Sequence, residues 1–282
     1  MKSWHGDWQT INIIDVNQPY DYLNIPHVSI NSAYTSVDNV IINGFSGDAK
    51  SAIRIGSNDH IKFSGKTTIQ GFDQVELNAN SIEVLKGVKF QSKLDDQEIP
   101  SGYFIVNSVD SAVFNGATIH GSFVVNSDGN ISVTDINMGE GMAKVHSNVL
   151  KLNAEGKVYF GAGDLGVPPS VWTRMLNING SDIEINRAGL SSNAGLSIIG
   201  SKVIRVEGPA NIQAFTSGAL ELAIEAPEVY INNNVSIRSN AEYLFGITGK
   251  IKITGSQELL IKDSNINLIN DQLYNERPKI LL

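Results

Sequence analysis

Cysteine is absent from the 282 residues. That excludes disulfides, thiol catalysis and cysteine-held metals, and it suits an exported bacterial protein, where unpaired thiols are a hazard. Long apolar runs are missing too. No stretch approaches the ~20 consecutive apolar residues of a membrane helix, so no membrane span is expected. Positive charge is scarce: Lys and Arg total 21 against 29 Asp and Glu, a net charge of −8. Phosphate binding needs clustered cations, so no nucleic-acid partner is expected. The histidines His5, His27, His60, His120 and His146 are scattered without zinc-like spacing, and no metal or cofactor is expected. Ser57, Asp59 and His60 set hydroxyl, carboxylate and imidazole close together, but residues that near in sequence rarely converge as a triad. The opening Met1–Gly6 has no apolar signal-peptide core. Two readings stay open: the chain is not exported by that route, or it is one piece of a larger exported protein.

What is present is a repeat. Short strands with alternating apolar residues come in pairs separated by a brief turn, and the unit recurs every 20–25 residues or so, the mark of a solenoid. Ile53/Ile55 go with Ile61/Phe63, and Ile69 lies on a third side. Val75/Leu77 go with Ile82/Val84, Phe104/Val106 with Phe114, and Phe123/Val125 with Ile131/Val133. Leu150/Leu152 precede Val158/Phe160, Leu176/Ile178 precede Ile183/Ile185, and Leu196/Ile198 precede Ile204/Val206. Leu220/Leu222 precede Val229/Ile231, and a last unit opens near Leu244 and includes Ile251/Ile253. A looser third strand, as at Ile212 and at Val235/Ile237, closes each turn. Period-2 alternation buries one face of each strand and leaves the other in water. The longer units must extrude loops, expected at Gln91–Gly102, Asn137–Ser147 and Gly161–Arg174. A brief helix is plausible near Pro169–Leu176. Residues 1–39 do not fit the pattern; Trp4, Trp8, Tyr20, Tyr22 and Tyr34 crowd there and Pro19 and Pro26 break strands. They are expected to cap the open end of the solenoid, with 40–270 the solenoid itself and 271–282 a C-terminal tail or cap.

One polar position recurs. The residue just after the first strand of the unit is Asn78, Asn107, Asn126, Asn153 and Asn179 in successive turns. Asn tolerates the left-handed backbone of a sharp bend. At a rung spacing of ~4.8 Å, identical carboxamides stack into a hydrogen-bonded ladder. Asn126, Asn153 and Asn179 are expected to be buried.

That column resembles the asparagine ladder in the tight turn of right-handed parallel β-helices, as in pectin-lyase-like proteins. The resemblance spans about 40–270 and implies three parallel sheets around a dry aliphatic interior. The Gly-Ser-Asn-rich rungs are also similar in composition to bacterial autotransporter passengers and filamentous-haemagglutinin-like exoproteins. The expected fold is therefore all-β, a single three-sheet right-handed parallel β-helix of about nine rungs with an N-terminal cap.

Chemistry is thinner. Pectin-lyase-like enzymes set acidic metal ligands and a basic residue along one exterior groove, and Asp95, Asp96 and Glu98 sit together beside Lys93. Paired carboxylates can hold calcium or act as acid and base, so these three and Arg174 are the candidates for catalysis, against the plainer reading of a solvated charged loop. Asp164, in Gly161–Gly166, is a lone glycine-aspartate unit and no metal site by itself. Trp172 and Arg174 offer an indole to stack on a sugar and a guanidinium for a carboxylate, with packing of Trp172 against the solenoid wall as the alternative. Outward strand positions are mixed: Arg54, Glu76, Lys151 and Glu221 on one side, Lys62, Glu83, Glu184, Arg205, Tyr230 and Lys252 on another. No single-sign groove emerges, which weighs against an enzyme for polygalacturonate. The function expected is a non-enzymatic secreted or cell-surface segment, an adhesin or passenger domain. It would recognise a glycan (carbohydrate binding) or a host-surface protein through extruded loops, with Trp172, Arg174, Asp95 and Asp96 as binding residues. The alternative is a polysaccharide-active lyase or glycoside hydrolase, or a phage-type spike acting on glycans.

Overall fold

The computed structural model describes residues 2–4, 9–12, 27–44, 51–93, 101–138, 149–163, 168–216, 221–241, 250–270 and 279–281. Every strand pairing among them is parallel, and they form an all-β right-handed parallel β-helix of about 8 turns, with no helix among the described residues. Each turn visits three sheets. In the first, Ile53 pairs onward through Val75, Phe104, Phe123, Leu150, Leu176, Leu196 and Leu222 to Ile251. In the second, Ile131 leads through Val158, Ile183, Ile204 and Val229 to Leu259. In the third, Leu190, Ile212, Ile237 and Ile266 align.

The inward side chains form one continuous core, nearly all of them within a few per cent of full burial. A fully buried Val, Leu or Ile contributes roughly 1.5–3 kcal/mol, and each is also packed by its own equivalents one turn above and below. The interior is not uniformly aliphatic. Phe63, Phe90 and Phe104 pack ring on ring at 5.8 and 5.2 Å, and Phe114 meets Phe123 edge-on at 4.8 Å. Ala112 and Ala117, both fully buried, supply small residues in the same turns. Beyond Phe160 the described core is aliphatic.

Several details differ from the sequence reading. The last two units are shifted: Leu196/Ile198 align with Leu222/Ile224 and then Ile251/Ile253, not with Leu220/Leu222 and a start at Leu244. Leu220 and Leu244 lie outside the described residues. The shift also moves Lys252 onto the first sheet, opposite Ala223. No helix forms at Pro169–Leu176. Ser170–Asn186 is one unbroken strand segment, because Val171, Thr173, Leu176 and Ile178 keep feeding the core around the bend. Of the expected cap, His27–Asp38 pairs in parallel with Ala52–Ser64, so the stack already runs N-terminal to Val40. Lys2–Trp4 and Gln9–Asn12 pair onto it. At the other end, Lys279–Leu281 adds a strand beside Lys250–Lys252.

The three corners obey different rules. Between first and second sheets the chain bends in a residue or two in every turn. Between second and third it uses left-handed residues, Asn39, Gly65, Gly87, Gly116, Asp135, Arg187 and Asn233 among them. There only 162–169 is long. Between third and first the length varies freely. Asp73 or Gly121 alone makes the turn, whereas 13–26, 93–102, 139–148 and 242–249 are long connections at the same corner.

Candidate functional site

The asparagine ladder exists, and its geometry explains the spacing. Asn107 Nδ2 donates to Asn78 Oδ1 at 2.8 Å, Asn126 to Asn107 at 2.9 Å, Asn153 to Asn126 at 2.8 Å and Asn179 to Asn153 at 2.9 Å. Every donor points the same way along the rod. The row ends on Glu76, whose carboxylate accepts from Asn78 at 3.1 Å and from Arg54 Nε at 2.9 Å. Contrary to expectation the asparagines are half-buried: they occupy the outward phase of the first sheet, at the first corner. Nor are they left-handed, since the positive-φ positions lie elsewhere. Hydrogen bonding alone selects Asn here.

A second signal at this corner, missed in the sequence, is the inward residue that follows each asparagine. Ala79, Ser108, Ser127, Ala154 and Gly180 fill that column in register. Gly200 and Ala226 continue it. A side chain on Gly180 would press within 2.8 Å of Val158 Cγ2. The corner is thus small inside and amide-laced outside, a structural feature with no chemistry to offer.

Of the candidate site residues, Asp95, Asp96, Glu98 and Asp164 lie outside the described residues. Trp172 and Arg174 are described, and they do not stand on an extruded loop. Trp172 is an outward residue of the third sheet, half-buried. Its ring stacks on Phe215 at 5.4 Å and 9° between planes, and its Nε1 donates to Asn193 Oδ1 at 3.1 Å. Arg174 is exposed at the third corner itself. That corner passes without a loop in two successive turns, and buried hydroxyls stitch it shut. Thr173 Oγ1 donates to Met175 O at 3.1 Å, and Ser192 Oγ lies 2.8 Å from Arg174 O and 2.6 Å from Gly195 O. The third corner therefore carries a stacked aromatic pair and a cation in these turns.

Charge divides sharply among the sheets. On the first, Arg54–Glu76, Lys250–Glu221 and Lys252–Glu225 pair at 2.9, 3.0 and 2.8 Å. On the second, Lys62–Glu83, Lys157–Glu184 and Arg205–Asp182 pair at 2.8, 2.6 and 3.0 Å. Hydrogen bonding to Glu83 raises the Lys62 pKa, and Glu225 does the same for Lys252. Tyr230 donates between Glu258 and Glu228, and chiefly the bond to Glu258 pushes its phenol up to about 12. Such surface pairs add little to stability, because water and salt screen them. The third sheet is different. Its described strands hold no Asp or Glu; their outward residues are mostly amides and hydroxyls, with aromatics, a few cations and Ile41 among them.

Among the described residues no group of three or more His, Asp or Glu is placed to hold a metal ion, and no helix is long and apolar enough to cross a membrane. No protein-family model matches the chain, and no curated protein or solved structure matches it.

Proposed function

We propose that the chain is a non-enzymatic recognition segment of a secreted or cell-surface β-helix protein, binding a glycan or a host-surface protein at its third corner. The observation that carries this reading is where length varies. One corner of three absorbs nearly all the insertions, while the strands are pinned above and below by their neighbours. Only such a place can change length and chemistry without disturbing the core, and binding residues concentrate on segments of that kind. Trp172 and Arg174, types that dominate binding hot spots, sit at its rim. The pairing of most charges on the other two sheets, as in Arg54–Glu76 and Lys62–Glu83, supports the same assignment.

The test compares wild type with Trp172→Ala/Arg174→Ala and Asp95→Ala/Asp96→Ala on a glycan array and on host cells. Both variants should keep the wild-type Tm, and the first should lose binding by tenfold or more. If both stay folded and bind as wild type, this reading fails. A reducing-end assay on polygalacturonate addresses the alternative: release of new ends, abolished in Asp95→Ala/Asp96→Ala, would make the chain a polysaccharide-active enzyme.

A further inference from the structure

We infer that the outer face of the third sheet is a binding surface for a linear, uncharged polysaccharide lying along the solenoid axis. This rests on the recognition reading above and names the ligand class and the face it covers.

The first support is the exclusion of acid. The chain carries 29 Asp and Glu, yet none falls in a described strand of the third sheet, from Val40–Asn43 through Thr68–Phe72 and Ala210–Thr216 to Asn265–Asn270. Solubility alone does not require this, since the other two sheets carry both signs. A covered carboxylate is costly because it is strongly hydrated and can only accept hydrogen bonds, whereas a carboxamide both donates and accepts. Sugar hydroxyls need both.

The second support is geometry. Gln70 and Gln91 pair in register on adjacent turns, as do Ser191, Gln213 and Arg238 farther along. The step between turns is about 4.8 Å, close to the length of one pyranose unit. A linear polymer parallel to the axis therefore meets one side chain of this column at every sugar, Asn43, Gln70, Gln91 and His120 in four successive turns. The carboxamides of Gln91 and Gln213 are half-buried, with no side-chain hydrogen bond among the described residues. Trp172 and Phe215 add a fixed aromatic pair to the same face, the indole held by Asn193. Sugar C–H faces pack on such rings, and their rigidity lowers the entropy lost on binding.

The third support is what the face lacks in cations. Lys89 and Arg238 stand in distant turns, too sparse for the closely spaced charges of an acidic polymer. A folded protein partner is also a poorer match, since the centre of such an interface is apolar and this face is amide-rich.

Affinity electrophoresis tests the inference directly. Wild type is run in native gels containing laminarin, mannan, hydroxyethylcellulose or polygalacturonate, with and without added salt. Gln91→Glu and Gln213→Glu place a carboxylate on the face with little change of shape, and Lys62→Ala alters the second sheet instead. Gln91→Ala and Gln213→Ala serve if either Glu variant fails to fold. Retardation by at least one neutral polymer, unchanged by salt and by Lys62→Ala but weakened tenfold or more by each face variant, is the expected result. Retardation only by polygalacturonate and abolished by salt overturns it. So does the absence of retardation by every neutral polymer, even if the protein still binds host cells through Trp172 and Arg174. Neutral retardation that survives both face variants also overturns it, and leaves the third-corner reading standing.

Discussion

The first and third corners are built from the same strands and behave in opposite ways. At the first, five successive turns are tied to one another by outward asparagines and padded by an inward small residue. Asp128 N also donates to Ser108 O at 3.1 Å and Gly156 N to Gly129 O at 2.9 Å. At the third, equivalent turns pass through Gly121, through 93–102 or straight around at Thr173–Met175. Stacking against identical neighbours fixes a corner's length. Where successive turns do not bond side chain to side chain, length is free to vary, and function has room to settle.

The comparison breaks most visibly under insertion. Gly-Ser-Gly placed between Asp128 and Gly129 should disrupt several corner hydrogen bonds at about 1 kcal/mol each, some 3 kcal/mol in all. The same insertion after Gly121 should cost under about 1 kcal/mol, mostly loop-closure entropy. Urea denaturation compares the two, and equal losses would erase the distinction. Next comes the ladder. Asn153→Ala removes the bonds to both Asn126 and Asn179 and, these amides being half-buried, should cost about 1–2 kcal/mol; a variant melting with wild type would remove the ladder from the account of stability. Ser192→Ala is the third-corner counterpart. It removes the hydroxyl that bonds at the Arg174 and Gly195 carbonyls, with an expected cost of about 0.5–1.5 kcal/mol. A smaller gain is expected from extending the ladder. Ile199 stands next in register after Asn179 and is 47% exposed, so Ile199→Asn should add about 0.5–1 kcal/mol, read as a raised Tm.

The smallest effect is alkaline. Lys62, Lys252 and Tyr230 all hold their protons more tightly than usual. A proton bound more tightly in the folded than in the unfolded chain stabilises the fold below the ordinary pKa, and that contribution disappears as pH rises through the folded value. For Tyr230 the window runs from about 10 to about 12. Tyr230→Phe should flatten the fall of stability there, and an unchanged profile would remove the phenol from the alkaline transition.

Much of the fold was legible because a solenoid repeats its instructions. Alternating pairs such as Leu150/Leu152 and Val158/Phe160 recur in register, and five asparagines at one column announce a hydrogen bond between turns. The register failed where the pattern offered two solutions: Leu220/Leu222 and Leu222/Ile224 alternate equally well, and only pairing with Leu196/Ile198 chooses between them. The brief helix near Pro169 failed because local propensity was overridden by strand pairing on both sides. Trp172 reads as a loop residue from the sequence, which does not show that Ser170–Asn186 continues around the bend.

By itself, then, the sequence determined the class of fold, the asparagine row and most of the core, all features set by local alternation and by repetition at one spacing. Which face each outward residue belongs to was decided only by the tertiary structure. The three strands of a turn share one alternating pattern, and a face is defined by neighbours some twenty or more residues away in the chain. The acid-free third sheet emerges only when Gln70, Gln91, Gln213 and Arg238 are brought onto one side by the winding of the solenoid, and the cost of covering a carboxylate is what gives that side its meaning.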